Sequence, residues 1–143
     1  MSLDVLVRIR LEVASMIRAQ SLLKVVDNSG AKLVKCIKVK KKGGKAHANV
    51  GDIVLVAVQS LRPRYGRRVR LKMNKSEVHN GVIVQTCRFF RNKAGVGISF
   101  ESNSVALITP QQKPLGTRIS AILPSRLRGL KWAKLAAMAK KII

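Results

Sequence analysis

The chain has 143 residues, 47% of them hydrophobic, which suffices for one domain with a single core. Its 29 Lys and Arg against 6 Asp and Glu give a formal charge of +23, which strains a small fold unless a polyanion neutralises it, so nucleic acid is the leading candidate partner. A membrane partner is disfavoured, because the charge is spread along strands and no run approaches the roughly 20 apolar residues of a spanning helix.

Residues 3–13 place Leu, Val or Ile at every odd position, and this period of two favours a strand over a helix. The segment is formally neutral, so the net charge lies in residues 16–143. It lacks the basic start and cleavage site of a signal peptide, and it is less basic than a mitochondrial presequence. We interpret residues 1–15 as an added strand or arm, with targeting as the alternative.

Two apolar-rich runs, residues 22–26 and 33–39, flank the segment Asp-Asn-Ser-Gly at 27–30. Asx side chains bond nearby backbone and Gly tolerates positive φ, so the pattern predicts a β-hairpin with a tight turn. Lysines at positions 24, 32, 35, 38 and 40 run through it. We expect one apolar side and one cationic side.

Residues 40–45 form a polar loop of lysines and glycines that contacts an RNA backbone or is merely solvated. It is not a P-loop, because the required spacing of Gly, Lys and Ser or Thr is absent.

Residues 50–58 are nearly continuous β-formers, which predicts a strand of a small barrel that is covered on both of its faces. Residues 61–70 are a projecting turn rich in arginine, whose guanidinium group forks onto phosphates.

Strands are also predicted at 81–90, 96–100 and 105–108, with a cationic turn at 91–95, which completes a barrel of five or six strands. Beyond Pro110 the pattern changes to a short helix that Ser125 caps and Gly129 ends, followed by a second helix over 130–140. Trp132, Leu135, Ala136 and Ala139 form an apolar stripe on that helix, which is more typical of packing on a barrel than of a cofactor site.

Catalytic and metal-binding patterns are missing from the sequence. Cys36 and Cys87 have no close Cys or His neighbour and are expected to be reduced core residues. The acids of the charged region are expected beside turns, and His47 and His79 in polar loops. We predict no enzyme, no cofactor, no metal and no small-molecule substrate. Five aromatic residues occur, of which three or more are expected in the core, so no base-stacking platform is evident: Tyr65, Phe89, Phe90, Phe100 and Trp132.

Five short motifs stand in order along the chain: Val-Asp-Asn-Ser-Gly-Ala at 26–31, Cys-Ile-Lys-Val at 36–39, Val-Gly-Asp-Ile at 50–53, Gly-Val-Ile-Val at 81–84 and Gly-Thr-Arg-Ile at 116–119. Together they resemble ribosomal protein fourteen of the large subunit, a universal family. The resemblance covers residues 16–143. Departures include Ala94 and Ala106 within the signature region, and Lys140 and Lys141 in place of a usual Pro-Glu pair.

The resemblance implies a mainly β fold: a five-stranded barrel with a projecting β-ribbon around 61–70 and short C-terminal helices. We divide the chain into an extension at 1–15, an rRNA-binding barrel at 16–123 and a helical segment at 124–143. The implied function is structural: binding large-subunit rRNA beside ribosomal proteins three and nineteen, and bridging to small-subunit rRNA. A silencing factor that blocks subunit joining is a further implied partner.

Carried over by position, the docking surface for that factor or the bridge includes Thr117, Arg118 and Lys134. The predicted rRNA contacts are cationic and polar residues of loops and turns: Asn28, Ser29, Lys40, Lys41, Lys42, Lys45, His47, Arg62, Arg64, Arg67, Arg68, Arg88, Arg91 and Lys93. The alternative function is a free OB-like or SH3-like RNA-binding factor. The high charge and the extension favour a mitochondrial over a bacterial ribosome.

Overall fold

The computed structural model describes residues 17–40, 47–63, 74–91, 94–129 and 131–143. Within them lie the strands β1 (Leu22–Val25), β2 (Ala31–Val39), β3 (Ile53–Leu61), β4 (Val78–Gln85), β5 (Phe90–Arg91), β6 (Gly97–Ile98), β7 (Ser104–Ile108), β8 (Ile119–Leu123) and β9 (Ala139–Ile142), and the helices α1 (Arg126–Gly129) and α2 (Ala133–Ala137). The predicted extension at 1–15 and most of the predicted ribbon at 61–70 lie outside the described residues.

Five strands close into a barrel in the order β1-β2-β3-β4-β7, which confirms the predicted fold class. The predicted hairpin is present: β1 and β2 are antiparallel, with Leu22 opposite Lys35. Gly30, in the turn, has φ +107°, a left-handed conformation that glycine adopts without a steric penalty. β7 closes the barrel by pairing parallel to β1 and antiparallel to β4.

The core has two parts because β4 and β7 are buried on both faces. Small branched side chains such as Val34, Val54 and Val56 fill the barrel interior. A second cluster lies outside the wall, where Val82 and Ala106 meet the C-terminal residues Leu127, Trp132, Leu135 and Ala136. The C-terminal segment therefore packs on the barrel, as the apolar stripe predicts. No helix in the described part of the chain is long and apolar enough to cross a membrane.

The second predicted helix is shorter than expected. Only Ala133–Ala137 is helical, and the chain then extends into β9, which pairs parallel to β8. The backbone N–H of Ile119 donates to Met138 O, and that of Ile143 donates to Leu123 O. Pairing with β8 thus overrides the helical pattern of residues 138–140, and Ala139 reaches the second cluster from a strand.

Three predicted strands have different bounds. β4 ends at Gln85 instead of continuing to 90, because Cys87 N donates to Asn103 Oδ1 and the chain bends away from the barrel. The strand predicted over 96–100 is confined to Gly97–Ile98, which pairs with β5 in a separate hairpin. β3 begins at Ile53 because Asp52 still belongs to a turn, where its carboxylate accepts from Asn49 N at 2.6 Å.

Candidate nucleic-acid interface

The turn between β1 and β2 is organised by a buried carboxylate. Asp27 is 2% exposed; its Oδ1 accepts from the Ser29 backbone N–H and hydroxyl, and its Oδ2 accepts from Leu107 N at 2.9 Å. The carboxylate therefore ties the turn to β7. Ser29, one of the predicted rRNA contacts, is fully buried with its hydroxyl directed at Asp27. In the structure, Ser29 therefore stabilises the turn.

Asn28, next to this carboxylate, is exposed and faces a second turn. Its Oδ1 accepts from the backbone N–H groups of Thr117 and Arg118 at 2.7 and 3.1 Å, and its Nδ2 donates to Thr117 Oγ1 at 2.7 Å. A Cβ at Gly116 would lie 2.6 Å from Asn28 Oδ1, so the close approach requires glycine there. Asn28, a predicted rRNA contact, thus lies beside two predicted docking residues.

Lys134, the third predicted docking residue, is exposed on α2. The helix is held in place by the Trp132 indole N–H, which donates to Gly51 O at 2.9 Å. Because Ile119 N donates to Met138 O, the start of β8 lies against the end of α2. Arg118 directly precedes β8, and Lys134 lies on the helix whose end contacts the start of β8.

The described cations among the predicted rRNA contacts fall into three regions. Arg62 lies over the barrel, where its Nη2 donates to Val25 O at 2.8 Å, and Lys40 and His47 are half-buried near the other end of β2 and β3. Arg88 and Arg91 are exposed at the β5–β6 hairpin, and Arg88 Nη1 approaches Asn49 Oδ1 at 3.5 Å. Lys41, Lys42, Lys45, Arg64, Arg67, Arg68 and Lys93 lie outside the described residues.

A set of exposed lysines on the first hairpin is missing from the predicted rRNA contacts. They stand on the outer side of β1 and β2, with all side chains exposed, while Leu23, Val34 and Cys36 point inward: Lys24, Lys32, Lys35 and Lys38. We call these four residues the lysine face. The lysines of β2 recur every third residue, which a strict period of two would place on alternating faces. Register shifts in the pairing of β2 with β3 compensate for this spacing, so that all three are exposed.

Few acids oppose these cations. Asp27 and Asp52 are engaged in turns, and Glu77 Oε2 lies 3.0 Å from His79 Nε2. The hydrogen bond from His79 lowers the pKa of Glu77, which keeps that carboxylate ionised.

His79 lies in β4, so its predicted position in a polar loop is wrong. The strand continues through His79 because this residue pairs with Val56 of β3.

An open cleft of about 820 Å³ lies between residues 96–102 and the outer face of the β8–β9 pair. Its titratable lining residues are Lys24, Glu101, Lys140 and Lys141, so it is positively charged. Across the described residues no group of three or more His, Cys, Asp or Glu side chains could hold a metal ion. The chemistry of this cleft suits an anionic partner.

The two cysteines differ in burial. Cys36 lies in the barrel core, as predicted, and its burial raises the pKa of the thiol. Cys87 is half-buried in the bend after β4, where its Sγ approaches Glu101 O at 3.3 Å, so its predicted place in the core is wrong. The bend removes it from the strand that would have carried it inward.

Residues 16–143 match the family model described as Ribosomal protein L14p/L23e. The chain belongs to this family. L14p/L23e proteins are structural constituents of the large ribosomal subunit, which makes this chain a ribosomal protein that acts in translation as part of a ribonucleoprotein, a structural rather than an enzymatic role. The match begins at Met16, where the resemblance begins, and leaves out residues 1–15. Membership favours the ribosomal function over a free RNA-binding factor.

Proposed function

We propose that this L14p/L23e protein binds large-subunit rRNA through the outer surface of its barrel and through the hairpins that project from it. The observation that carries the proposal is the lysine face, which places four exposed cations on one side of two paired strands. The opposite sides of these strands are sealed in the apolar core. Phosphate groups of a folded RNA are the partner that this distribution of charge fits.

The proposed contacts would fix the position of the protein on the rRNA and would read little of the base sequence. Lysine ammonium groups act as point charges on phosphates, whereas Arg62, Arg88 and Arg91 offer planar forks for bidentate contacts. Neutralising phosphates releases counterions, so about ten contacts would make binding fall steeply with salt, with a log-log slope of about −0.7 to −0.9 per contact. The barrel supplies a rigid frame, because its five strands close on themselves.

We further propose that the surface around Thr117, Arg118 and Lys134 lies at the subunit interface. There it would contribute to a bridge with small-subunit rRNA and serve as the docking site for a silencing factor, with ribosomal proteins three and nineteen as neighbours. In support, Asn28 fixes the backbone of Thr117 and Arg118, and the three side chains are exposed. Because the turn is already fixed, little conformational entropy is lost when a partner binds to it.

The test of rRNA binding is a titration of the full-length protein against large-subunit rRNA over a series of salt concentrations. Replacing Lys24, Lys35 and Lys38 together by Gln should lower the magnitude of the log-log slope by about 2 to 3, since up to three phosphate contacts are lost. Replacing the same three residues by Arg keeps the charge and is the matched control. An unchanged slope in the Gln variant would refute the role of the lysine face.

We also propose that the ribosome in question is mitochondrial. The net charge of +23 and the added segment at 1–15, which lies outside the family match, support this over a bacterial ribosome. Fractionation of the source cells decides between the two: the protein should co-sediment with large subunits from the mitochondrial matrix. Recovery with cytoplasmic ribosomes alone would refute this assignment without affecting rRNA binding.

A further inference from the structure

We propose that the outer face of the β5–β6 hairpin is a stacking platform for one unpaired RNA base, with Phe89 as the aromatic surface and Arg91 as the adjacent phosphate contact. This inference rests on the proposed rRNA binding and adds a site to it. Phe89 is 53% exposed, unlike Trp132, which is buried, and Phe90, which packs against the second core cluster. Phe89 thus offers an exposed ring, although the sequence alone made no stacking platform evident.

The register of the hairpin places Phe89 and Arg91 side by side. Phe90 pairs with Ile98, and Arg91 pairs with Gly97. Because successive side chains alternate between faces, Phe90 and Ile98 share the face that is turned toward the core. Phe89 and Arg91 then share the outer face, where Gly97 lies opposite Arg91 on the neighbouring strand.

Gly97 makes room for the aromatic ring. A Cβ at this position would lie 2.3 Å from both Cε2 and Cζ of Phe89, which is far inside van der Waals contact. The ring is therefore in contact with the Gly97 backbone, while about half of Phe89 remains exposed. Any larger residue at 97 would compete with the ring for this space.

The backbone that precedes Phe89 is held by hydrogen bonds. Ser99 Oγ donates to Cys87 O at 2.9 Å, and Phe100 N donates to Thr86 O at 3.1 Å. Cys87 N in turn donates to Asn103 Oδ1 at 2.9 Å. Ring and arginine are thus presented on a fixed frame, which reduces the conformational entropy lost when a ligand binds.

The charge of the segment identifies RNA as the occupant. Residues 86–100 contain Arg88, Arg91 and Lys93 but no Asp or Glu, and both arginines are exposed. An exposed aromatic ring beside arginine is the combination with which proteins hold single-stranded RNA: the ring stacks on a base and the guanidinium binds the backbone. Every base has a π-face, so the platform would tolerate any sequence.

The experiment measures binding of the full-length protein to two probes, an oligoadenylate single strand and an RNA duplex with the same number of phosphates. Phe89→Leu should weaken binding to the single strand by about 5- to 150-fold, the range for one stacked base, and leave binding to the duplex unaffected within about twofold. The log-log slope of the binding constant against salt concentration should be the same for Phe89→Leu as for the native protein, because no cation is removed. Phe89→Tyr keeps the ring and should restore binding.

Two results would overturn the platform: unchanged single-strand binding by Phe89→Leu, or an equal loss on both probes. Cross-linking in purified large subunits gives a second readout. A benzoylphenylalanine introduced at position 89 should cross-link to rRNA, and a cross-link only to a neighbouring protein would refute the proposal. These outcomes are separate from rRNA binding as such, since the lysine variants test that binding in the presence of an intact Phe89.

Discussion

The side chains of Asn28 and Thr117 are joined by a hydrogen bond of 2.7 Å, although 89 residues separate them in sequence. The same asparagine also accepts from the backbone of Thr117 and Arg118. The turn of the first hairpin and the turn that leads into β8 therefore form one unit. This unit joins a proposed rRNA contact to the proposed docking surface.

Replacing Asn28 by Ala should destabilise the protein by about 1 to 2 kcal/mol, because three hydrogen bonds are lost at a site where water can replace part of them. Urea unfolding followed by circular dichroism measures the change. Thr117→Val removes only the bond between the two side chains and should cost less, about 0.5 to 1 kcal/mol. Equal effects of the two variants would show that the backbone contacts of Asn28 contribute nothing.

Asp27→Asn should lower the free energy of unfolding more than Asn28→Ala does. The amide nitrogen cannot accept a hydrogen bond, so one of the buried groups that now donate to Asp27, from Ser29 or Leu107, is left without an acceptor. We expect a loss of about 2 to 4 kcal/mol. Asp52→Asn, in a half-buried turn, is the matched control and should cost about 1 kcal/mol. A similar cost for both would contradict the special role of Asp27.

Leu135→Ala should loosen the C-terminal segment. Leu135 is 1% exposed in the second cluster, and truncating a buried leucine costs about 2 to 5 kcal/mol. Trp132 is the single tryptophan of the chain, so its fluorescence reports on this cluster directly. In Leu135→Ala, the Trp132 emission should shift to longer wavelength at a lower urea concentration than in the native protein. Lys134→Ala, on the exposed side of the same helix, should leave the transition within about 0.5 kcal/mol of the native one.

The two thiols should differ in reactivity, and the buried Cys36 thiol should contribute to the pH dependence of stability. Cys87 should be alkylated in the native protein, and Cys36, which is 1% exposed, only after unfolding. Burial raises the pKa of Cys36 in the folded state, so its contribution to stability is present below the unfolded pKa of roughly 8.5 and declines as the pH rises above it. Unfolding at pH 7.5 and 10 should show a smaller loss with pH in Cys36→Ala. An equal loss would mean that the thiol is not involved.

The hairpin, the barrel strands and the cationic exterior were predictable from the sequence. Turn residues and a period of two are local signals, and they assign Val34 inward and Lys35 outward without reference to the rest of the chain. The net charge likewise predicted a polyanion as the class of partner. The apolar stripe of Trp132 and Leu135 correctly predicted packing against the barrel.

Other features were decided only by the tertiary structure. Ser29 turns inward because of a buried carboxylate, residues 139–142 become a strand because β8 offers them a partner, and Cys87 leaves the core because Asn103 bends the chain. Phe89 is exposed because Gly97 admits its ring on the outer face of a separate hairpin. Each outcome depends on hydrogen bonds or contacts between residues distant in sequence or brought together by a turn, and local patterns carry no information about such partners.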